Sequence, residues 1–157
     1  MAASLLLVEG PAGADKSGLI RSLLARGQLD VAIEFTELWA ATRGKRRDPK
    51  TGRLPVWTAD DPFVKSFFGY RLKESAVALA LEQDLRVAVS ESSPHKGEKW
   101  SRLAAVKGAE FERRTIDPGP RVIKERLSIG GKLSLECKMA GDRWYASKGD
   151  TGKEWHL

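Results

Sequence analysis

The sequence predicts a three-layer α/β domain with a mostly parallel sheet of four or five strands. Short apolar runs alternate with stretches of helical periodicity along the chain, and a glycine-rich loop follows the first run. Parallel strands need crossover connections, which are usually helices. The 157 residues suffice for one such domain. We place it at residues 1–147 and expect residues 148–157 to form a flexible tail.

Four short apolar segments are the predicted strands. The first reads SLLLVE, and its consecutive apolar residues indicate a strand that is buried on both faces. The last alternates apolar and polar residues, so we expect it to be half exposed. The predicted strands are residues 4–9, 31–35, 85–89 and 110–116, with the first at the centre of the sheet.

Helical signals lie between and after these strands. A helix begins at the glycine-rich loop and ends before Gly27, and a short one at 36–41 is closed by Gly44. Asp61 and Pro62 form a helix start, since the carboxylate can cap free N–H groups and proline needs no donor at the first helical position. The remaining predicted helices are residues 62–83, 94–107, a helix that Asp117 caps from residue 118, and one after Ser134.

The formal net charge is +6, and much of the excess lies in one segment, residues 43–53, from Arg43 to Arg53. This basic segment has six Lys or Arg and one Asp, which gives a net charge of +5. A solvated loop is the simplest interpretation, and contact with phosphate or nucleic acid is the alternative. Residues 45–61 lack periodicity, and we predict that residues 45–60 form a lid over bound phosphate.

Composition also excludes some classes of protein. No stretch approaches the roughly 18 apolar residues that a membrane span needs, so we expect a cytoplasmic protein without membrane association. The lone Cys137 fits a reducing compartment and is expected to be buried. The two histidines are far apart in sequence, which argues against a structural zinc site.

The loop GPAGADKS stands between the first predicted strand and the first helix, as a phosphate-binding P-loop does. Backbone N–H groups at such a helix start can surround phosphate oxygens. Lys16 is placed to bridge the β- and γ-phosphates of ATP or another nucleoside triphosphate, and Ser17 to hold Mg²⁺. A glycine turn without a ligand is the alternative. The predicted nucleotide-binding residues are Gly10, Pro11, Ala12, Gly13, Ala14, Asp15, Lys16, Ser17 and Gly18.

Asp15 stands where the motif G-x-x-x-x-G-K-[ST] has its second glycine. Asp adopts left-handed conformations more readily than most residues, so the loop can keep its shape. A carboxylate near a triphosphate costs about 1 to 4 kcal/mol unless Mg²⁺ or an arginine screens it. The sequence therefore leaves open a functional P-loop and a degenerate one.

Acidic residues at the carboxyl ends of neighbouring strands are candidates for catalysis. A carboxylate there holds Mg²⁺ through water or orients the acceptor hydroxyl. Glu34, at the end of the second predicted strand, and Glu91, after the third, are the candidates, and Glu34 is a predicted metal residue together with Ser17. Arginine supplies a planar donor fork for developing phosphate charge, which makes Arg126 and Arg121 further candidates.

The chain resembles a group of small P-loop proteins, encoded by bacterial viruses and prophages, that bind ATP and have a kinase-like fold. The resemblance covers nearly the whole chain and rests on LLLVEGPAGADKS, FTELWAATRG, LRVAVSESS, IDPGPRVIKERL and DRWYAS. It implies a three-layer P-loop NTPase or kinase-like domain in the cytoplasm of an infected cell. It also implies that Arg126 lies near the adenine or a lid. The chain departs from the group at Asp15 and has Glu34 where the group tends to have Asp.

These observations predict a nucleotide-binding protein, a small kinase or NTPase whose catalytic residues are Lys16, Glu34, Glu91 and Arg126. Two alternatives remain open. One is a degenerate P-loop domain that serves as a binding or assembly protein. The other is a nucleic-acid-binding protein that uses the basic segment.

Overall fold

The computed structural model of the chain describes residues 2–42, 44–52, 71–128 and 131–148. The predicted helix start at Asp61 and Pro62, part of the proposed lid and the tail beyond Lys148 lie outside the described residues. In chain order, the described elements are β1 Ser4–Glu9, α1 Lys16–Ala25, β2 Val31–Ile33, α2 Phe35–Thr42, α3 Lys73–Glu82, β3 Arg86–Glu91, α4 Gly97–Val106, β4 Glu110–Thr115, α5 Pro120–Leu127 and α6 Leu135–Ser147.

The four strands form one parallel sheet in the order β2-β3-β1-β4. This confirms the predicted α/β class and the interior position of β1. The chain crosses from β1 to β2 in one direction and from β3 to β4 in the other. Such a reversal creates a topological switch point, where ligands bind at the carboxyl ends of the strands. Here that point lies between β1 and β3.

Both faces of the sheet are covered by helices. Leu5 and Leu7 of β1 pack with α3 and α4 in one apolar cluster, whereas Leu6 and Val8 pack with α1 in another. Successive side chains of a strand point to opposite faces, so each face of β1 needs its own apolar set. Burial of one Leu side chain contributes about 1.5 to 3 kcal/mol, and this explains the continuous apolar run.

A third apolar cluster joins the C-terminal helices to the glycine-rich loop. Ile123 of α5 and Trp144 of α6 are fully buried and pack with Ala14 of the loop. Asp117 accepts hydrogen bonds from Trp144 Nε1 at 2.9 Å and from the Tyr145 hydroxyl at 3.1 Å. These contacts fix the position of α5 and α6 beside the loop.

The prediction that Asp117 caps the next helix is wrong. The helix begins at Pro120, its N-cap is Gly119, and no side chain caps it. Asp117 lies two residues before the cap and accepts a hydrogen bond from the Gly119 N–H at 3.0 Å. Its carboxylate thus keeps a local bond before the helix and is also held by Trp144 and Tyr145 of α6, which are tertiary contacts.

Other boundaries differ from those predicted. β2 ends at Ile33 instead of at residue 35, because the Glu34 carbonyl accepts the N–H of Leu38 and thereby opens a helix. β3 continues to Glu91, since Ser90 and Glu91 still pair with β1. α4 begins at Gly97, three residues later than expected.

Two predictions from composition can also be compared with the structure. Cys137 is only partly buried, whereas the sequence predicts full burial. None of the helices in the described part of the chain is long and apolar enough to span a membrane.

Candidate functional site

The glycine-rich loop lies at the switch point, between the end of β1 and the start of α1. A Cβ atom on Gly10 would lie 2.1 Å from the carbonyl oxygen of Ile116, so only glycine fits there. Gly13 has a φ of +83° and packs against the side chain of Leu127. Close packing thus explains Gly10, the first glycine of the motif, and a left-handed backbone explains the additional glycine at position 13.

Lys16 is only 9% exposed, and its ammonium group folds back onto the loop. Nζ donates to the carbonyl oxygens of Gly10 at 2.9 Å and Pro11 at 2.8 Å. Burial lowers the pKa of Lys16 to about 8, an effect that Glu34 and Glu91 oppose and that Lys73 reinforces. A bound phosphate would favour the charged form, because it would supply a nearby negative charge.

Asp15 adopts the left-handed backbone conformation that a glycine would take at this position. Its φ is 66° and its ψ is 40°, and it is the N-cap of α1 without a side-chain capping hydrogen bond. The carboxylate is exposed and lies over Gly18, where an added Cβ would be 2.4 Å from both carboxylate oxygens. The loop therefore keeps its shape with Asp15 in place, and Gly18 makes room for the carboxylate.

The structure brings Ser17 and Glu34 together, as the metal-site prediction requires. Glu34 is 7% exposed and directly follows β2. The Ser17 hydroxyl donates to Glu34 Oε1 at 2.6 Å, and the Ser90 hydroxyl donates to the same oxygen at 2.8 Å. In the described part of the chain, no hydrogen bond reaches Oε2.

This pair of residues fits a magnesium site. Mg²⁺ prefers oxygen ligands and keeps several waters, so it needs few protein groups. The Ser17 proton is committed to Glu34, which leaves the lone pairs of the serine oxygen for a metal. The described residues contain no cluster of three or more His, Cys, Asp or Glu that could hold a metal ion.

Glu91 lies on the opposite face of β3 from Ser90, toward α3 and α4. Its Oε1 accepts from Lys73 Nζ at 3.1 Å and from Trp100 Nε1 at 3.0 Å, and its Oε2 is 3.6 Å from Lys96 Nζ. The carboxylate is thus engaged in ion pairs and is not bonded to Ser17. It influences the site through space, since it raises the pKa of Lys16 against the effect of burial.

Sequence reasoning missed Lys73 and Ser90. Lys73 is 2% exposed, and its Nζ donates to the Ser90 carbonyl at 2.7 Å as well as to Glu91. Burial lowers the pKa of Lys73, and Glu91 opposes this effect. A signal for Ser90 did exist: the period of two places it on the same face as Ala88, which packs with α1.

Glu9 is a further buried carboxylate that the sequence did not single out. It is the last residue of β1 and accepts from Arg113 Nε at 2.6 Å and Nη2 at 2.9 Å. The Thr115 hydroxyl donates to it at 2.9 Å. These bonds tie the end of β1 to β4 directly before the loop.

Arg126 contacts the glycine-rich loop from α5. Its Nη1 donates to the Gly13 carbonyl at 3.0 Å, and its side chain is exposed. Arg121, by contrast, pairs with Glu125 on the surface of the same helix. Of the two arginines, only Arg126 is therefore brought to the predicted site.

Comparison with known proteins gives structural neighbours only. No protein-family model and no curated protein matches the sequence. A chain of the Pnkp1/Rnl/Hen1 RNA repair complex is 15% identical with a TM-score of 0.64, and the match covers 95% of this chain and 46% of that one. This chain therefore spans less than half the length of that neighbour.

Two other neighbours are closer in length. A candidate kinase from Chloroflexus aurantiacus is 11% identical with a TM-score of 0.62, over 88% of this chain and 75% of that one. The tunicamycin resistance protein of Deinococcus radiodurans is 17% identical with a TM-score of 0.57, over 99% and 84%. Likeness at this level of identity concerns the fold. The chain therefore has an α/β fold of the P-loop, kinase-like type.

Proposed function

We propose that the chain binds ATP or a related nucleoside triphosphate with Mg²⁺ on residues 10–18 and transfers the γ-phosphoryl group, as a small kinase or NTPase of the phage type that its sequence resembles. The observation that carries this proposal is the 2.6 Å hydrogen bond between Ser17 and Glu34. It joins the loop to a buried carboxylate at the end of a neighbouring strand. The kinase-like structural neighbours support the same class of chemistry.

Each side chain has a defined task in this proposal. Lys16 exchanges the carbonyl oxygens of Gly10 and Pro11 for phosphate oxygens. Ser17, and Glu34 through water, would hold Mg²⁺, which neutralises charge on the phosphates. Arg126 adds positive charge beside the loop, and Glu91 acts at a distance through Lys16.

Glu34 Oε2 accepts the proton of the acceptor hydroxyl in this proposal. As that proton leaves, the acceptor oxygen bonds to the γ-phosphorus. The bond between the γ-phosphorus and the β–γ bridging oxygen breaks, and the nucleoside diphosphate departs with the electron pair. With water as the acceptor, the same steps are ATP hydrolysis.

Replacement of Lys16 by Ala is expected to weaken ATP binding at least tenfold. The change removes a charge-assisted contact worth about 1.5 to 3 kcal/mol. Calorimetric titration with and without Mg²⁺ measures the effect, and Lys138→Ala, on the exposed side of α6, is the control. Affinity for ATP in the parent should fall as the pH rises through about 8, where Lys16 loses its proton, and this step should be missing in Lys16→Ala.

An unchanged affinity in Lys16→Ala would place the nucleotide elsewhere. A parent that binds no nucleotide, with or without Mg²⁺, would instead favour the degenerate P-loop domain that serves as a binding or assembly protein. Asp15 is the feature that supports this alternative.

A second candidate function is nucleic-acid binding through the basic segment. Its described residues, 44–52, are exposed and follow α2, the helix that begins beside Glu34. Arg47 pairs with Glu37 of α2 and donates to the Gly52 carbonyl at 3.0 Å, and Asp48 accepts the backbone N–H of Lys50 at 2.7 Å. These contacts favour an ordered cationic turn next to the site. The fold is shared with a chain of an RNA repair complex, which makes RNA a reasonable polyanion to test.

Salt dependence tests this second function. The slope of log K against log salt for single-stranded RNA is negative, and replacement of Lys45, Arg46 and Lys50 by Gln should reduce its magnitude by about 2, at roughly 0.7 for each phosphate that the protein no longer neutralises. Fluorescence anisotropy at several salt concentrations measures the slope. Gln at Lys107, Lys132 and Lys138 gives a control of equal charge, and equal slopes in both triple variants would contradict the role of the basic segment.

A further inference from the structure

Two hydroxyl groups bind the same oxygen of the buried Glu34 carboxylate. Ser17 Oγ lies 2.6 Å and Ser90 Oγ 2.8 Å from Oε1. A carboxylate has about four lone-pair sites, two on each oxygen. With two donors on Oε1, the group has a defined rotation about its terminal bond, and Oε2 is the oxygen left to accept a proton from a substrate.

The two serines are not equivalent. Ser17 belongs to the loop and to α1, and it has a second task when a metal is bound. Ser90 belongs to a central strand, where it pairs with Val8 of β1. Its carbonyl accepts from the buried Lys73 at 2.7 Å, and Lys73 is paired in turn with Glu91 at 3.1 Å. The Ser90 hydroxyl therefore donates to Glu34 from a fixed position in the sheet.

We propose that Ser90 is a positioning residue that holds Glu34 with Oε1 toward Ser17 and Oε2 toward the acceptor hydroxyl. The inference rests on the proposed phosphoryl transfer. Without the Ser90 hydroxyl, Glu34 keeps its hydrogen bond to Ser17 but loses the second donor, so its carboxylate is free to rotate about its terminal bond. The nucleotide then binds as before, but Glu34 Oε2 faces the acceptor hydroxyl for a smaller fraction of the time. The rate of phosphoryl transfer falls, because it is sensitive to small displacements of the reacting groups.

The experiment compares Ser90→Ala, Ser90→Thr and the parent in hydrolysis of Mg-ATP, with water as the acceptor. We expect kcat to fall about tenfold in Ser90→Ala, while KM for ATP stays within about twofold of the parent, because the lost interaction acts on the reaction and not on binding. Ser90→Thr retains a hydroxyl and should restore most of kcat. Ser92→Ala changes an exposed serine two residues away and should match the parent.

Two results would overturn the role of Ser90. One is an unchanged kcat in Ser90→Ala. The other is a loss of kcat with an equal loss of ATP affinity that Ser90→Thr does not restore, since this would assign Ser90 to the fold. Glu34→Gln, measured in the same assay, separates the two proposals. If Glu34→Gln loses turnover and Ser90→Ala does not, only the role of Ser90 is refuted. A parent that neither binds nor hydrolyses Mg-ATP refutes both.

Discussion

Replacement of Glu34 by Gln is expected to lower the turnover of Mg-ATP by about 100- to 10,000-fold, the usual range for loss of a general base. Glutamine has the size of glutamate and keeps a carbonyl oxygen that can accept from Ser17 and Ser90. It cannot take up the acceptor proton at neutral pH. The expected loss therefore falls on the chemical step.

Single-turnover hydrolysis measures that step separately from product release. Glu82→Gln, on the exposed part of α3 where Glu82 pairs with Lys107, removes one carboxylate far from the loop and is the control. Nucleotide affinity measured without Mg²⁺ should be similar in Glu34→Gln and the parent. Parental turnover in Glu34→Gln would show that another group accepts the proton, and Glu91 would be the next residue to replace.

The first half of the site could be predicted from the sequence because its determinants are local. Gly13 meets a local constraint, a positive φ, and Gly10 is fixed by the motif itself, although the close approach to Ile116 that excludes a side chain there is a long-range contact. Lys16 and Ser17 follow at fixed distances along the chain, at the start of α1. A strand, loop and helix that are consecutive in sequence need no long-range information.

The second half of the site, formed by side chains at the end of β3, depends on which helices pack against each face of that strand. Both faces of this strand are buried, so the apolar pattern does not distinguish them. Ser90 meets Glu34 on the side of α1, whereas Glu91 meets Trp100 on the side of α4. The sequence predicts Glu91 and not Ser90 as a catalytic candidate, because a carboxylate stands out in a sequence and a serine beside it does not.

Lys73 could not be recognised for a related reason. A lysine is almost never fully buried unless it is paired, and the pair here joins α3 to the end of β3. The sequence separation of 18 residues between Lys73 and Glu91 gives no sign of this contact. Asp117 is the reverse case: the sequence predicts a purely local role as a helix cap, whereas the N-cap is Gly119 and the carboxylate of Asp117 also accepts from Trp144 and Tyr145.

Replacement of Asp15 by Gly is expected to strengthen nucleotide binding by about 5- to 100-fold, which corresponds to roughly 1 to 3 kcal/mol of relieved repulsion. The backbone of residue 15 is already left-handed, with a φ of 66°, so glycine can take the same conformation without rearranging the loop. The carboxylate over Gly18 is removed at the same time. Titration with Mg-ATP measures the change, and any turnover should rise with it.

Two further variants separate charge from backbone strain. Asp15→Asn drops the charge but tolerates the left-handed conformation, so it should recover most of the gain in affinity. Asp84 is the other described non-glycine residue with a positive φ, 57°, and it is exposed after α3. Asp84→Gly should relieve similar strain and raise the melting temperature, yet leave nucleotide affinity unchanged. If neither change at Asp15 strengthens binding, its carboxylate is not the obstacle: tight binding by the parent would then mean that Mg²⁺ or Arg126 already screens Asp15, and absence of binding would refute the P-loop as a nucleotide site.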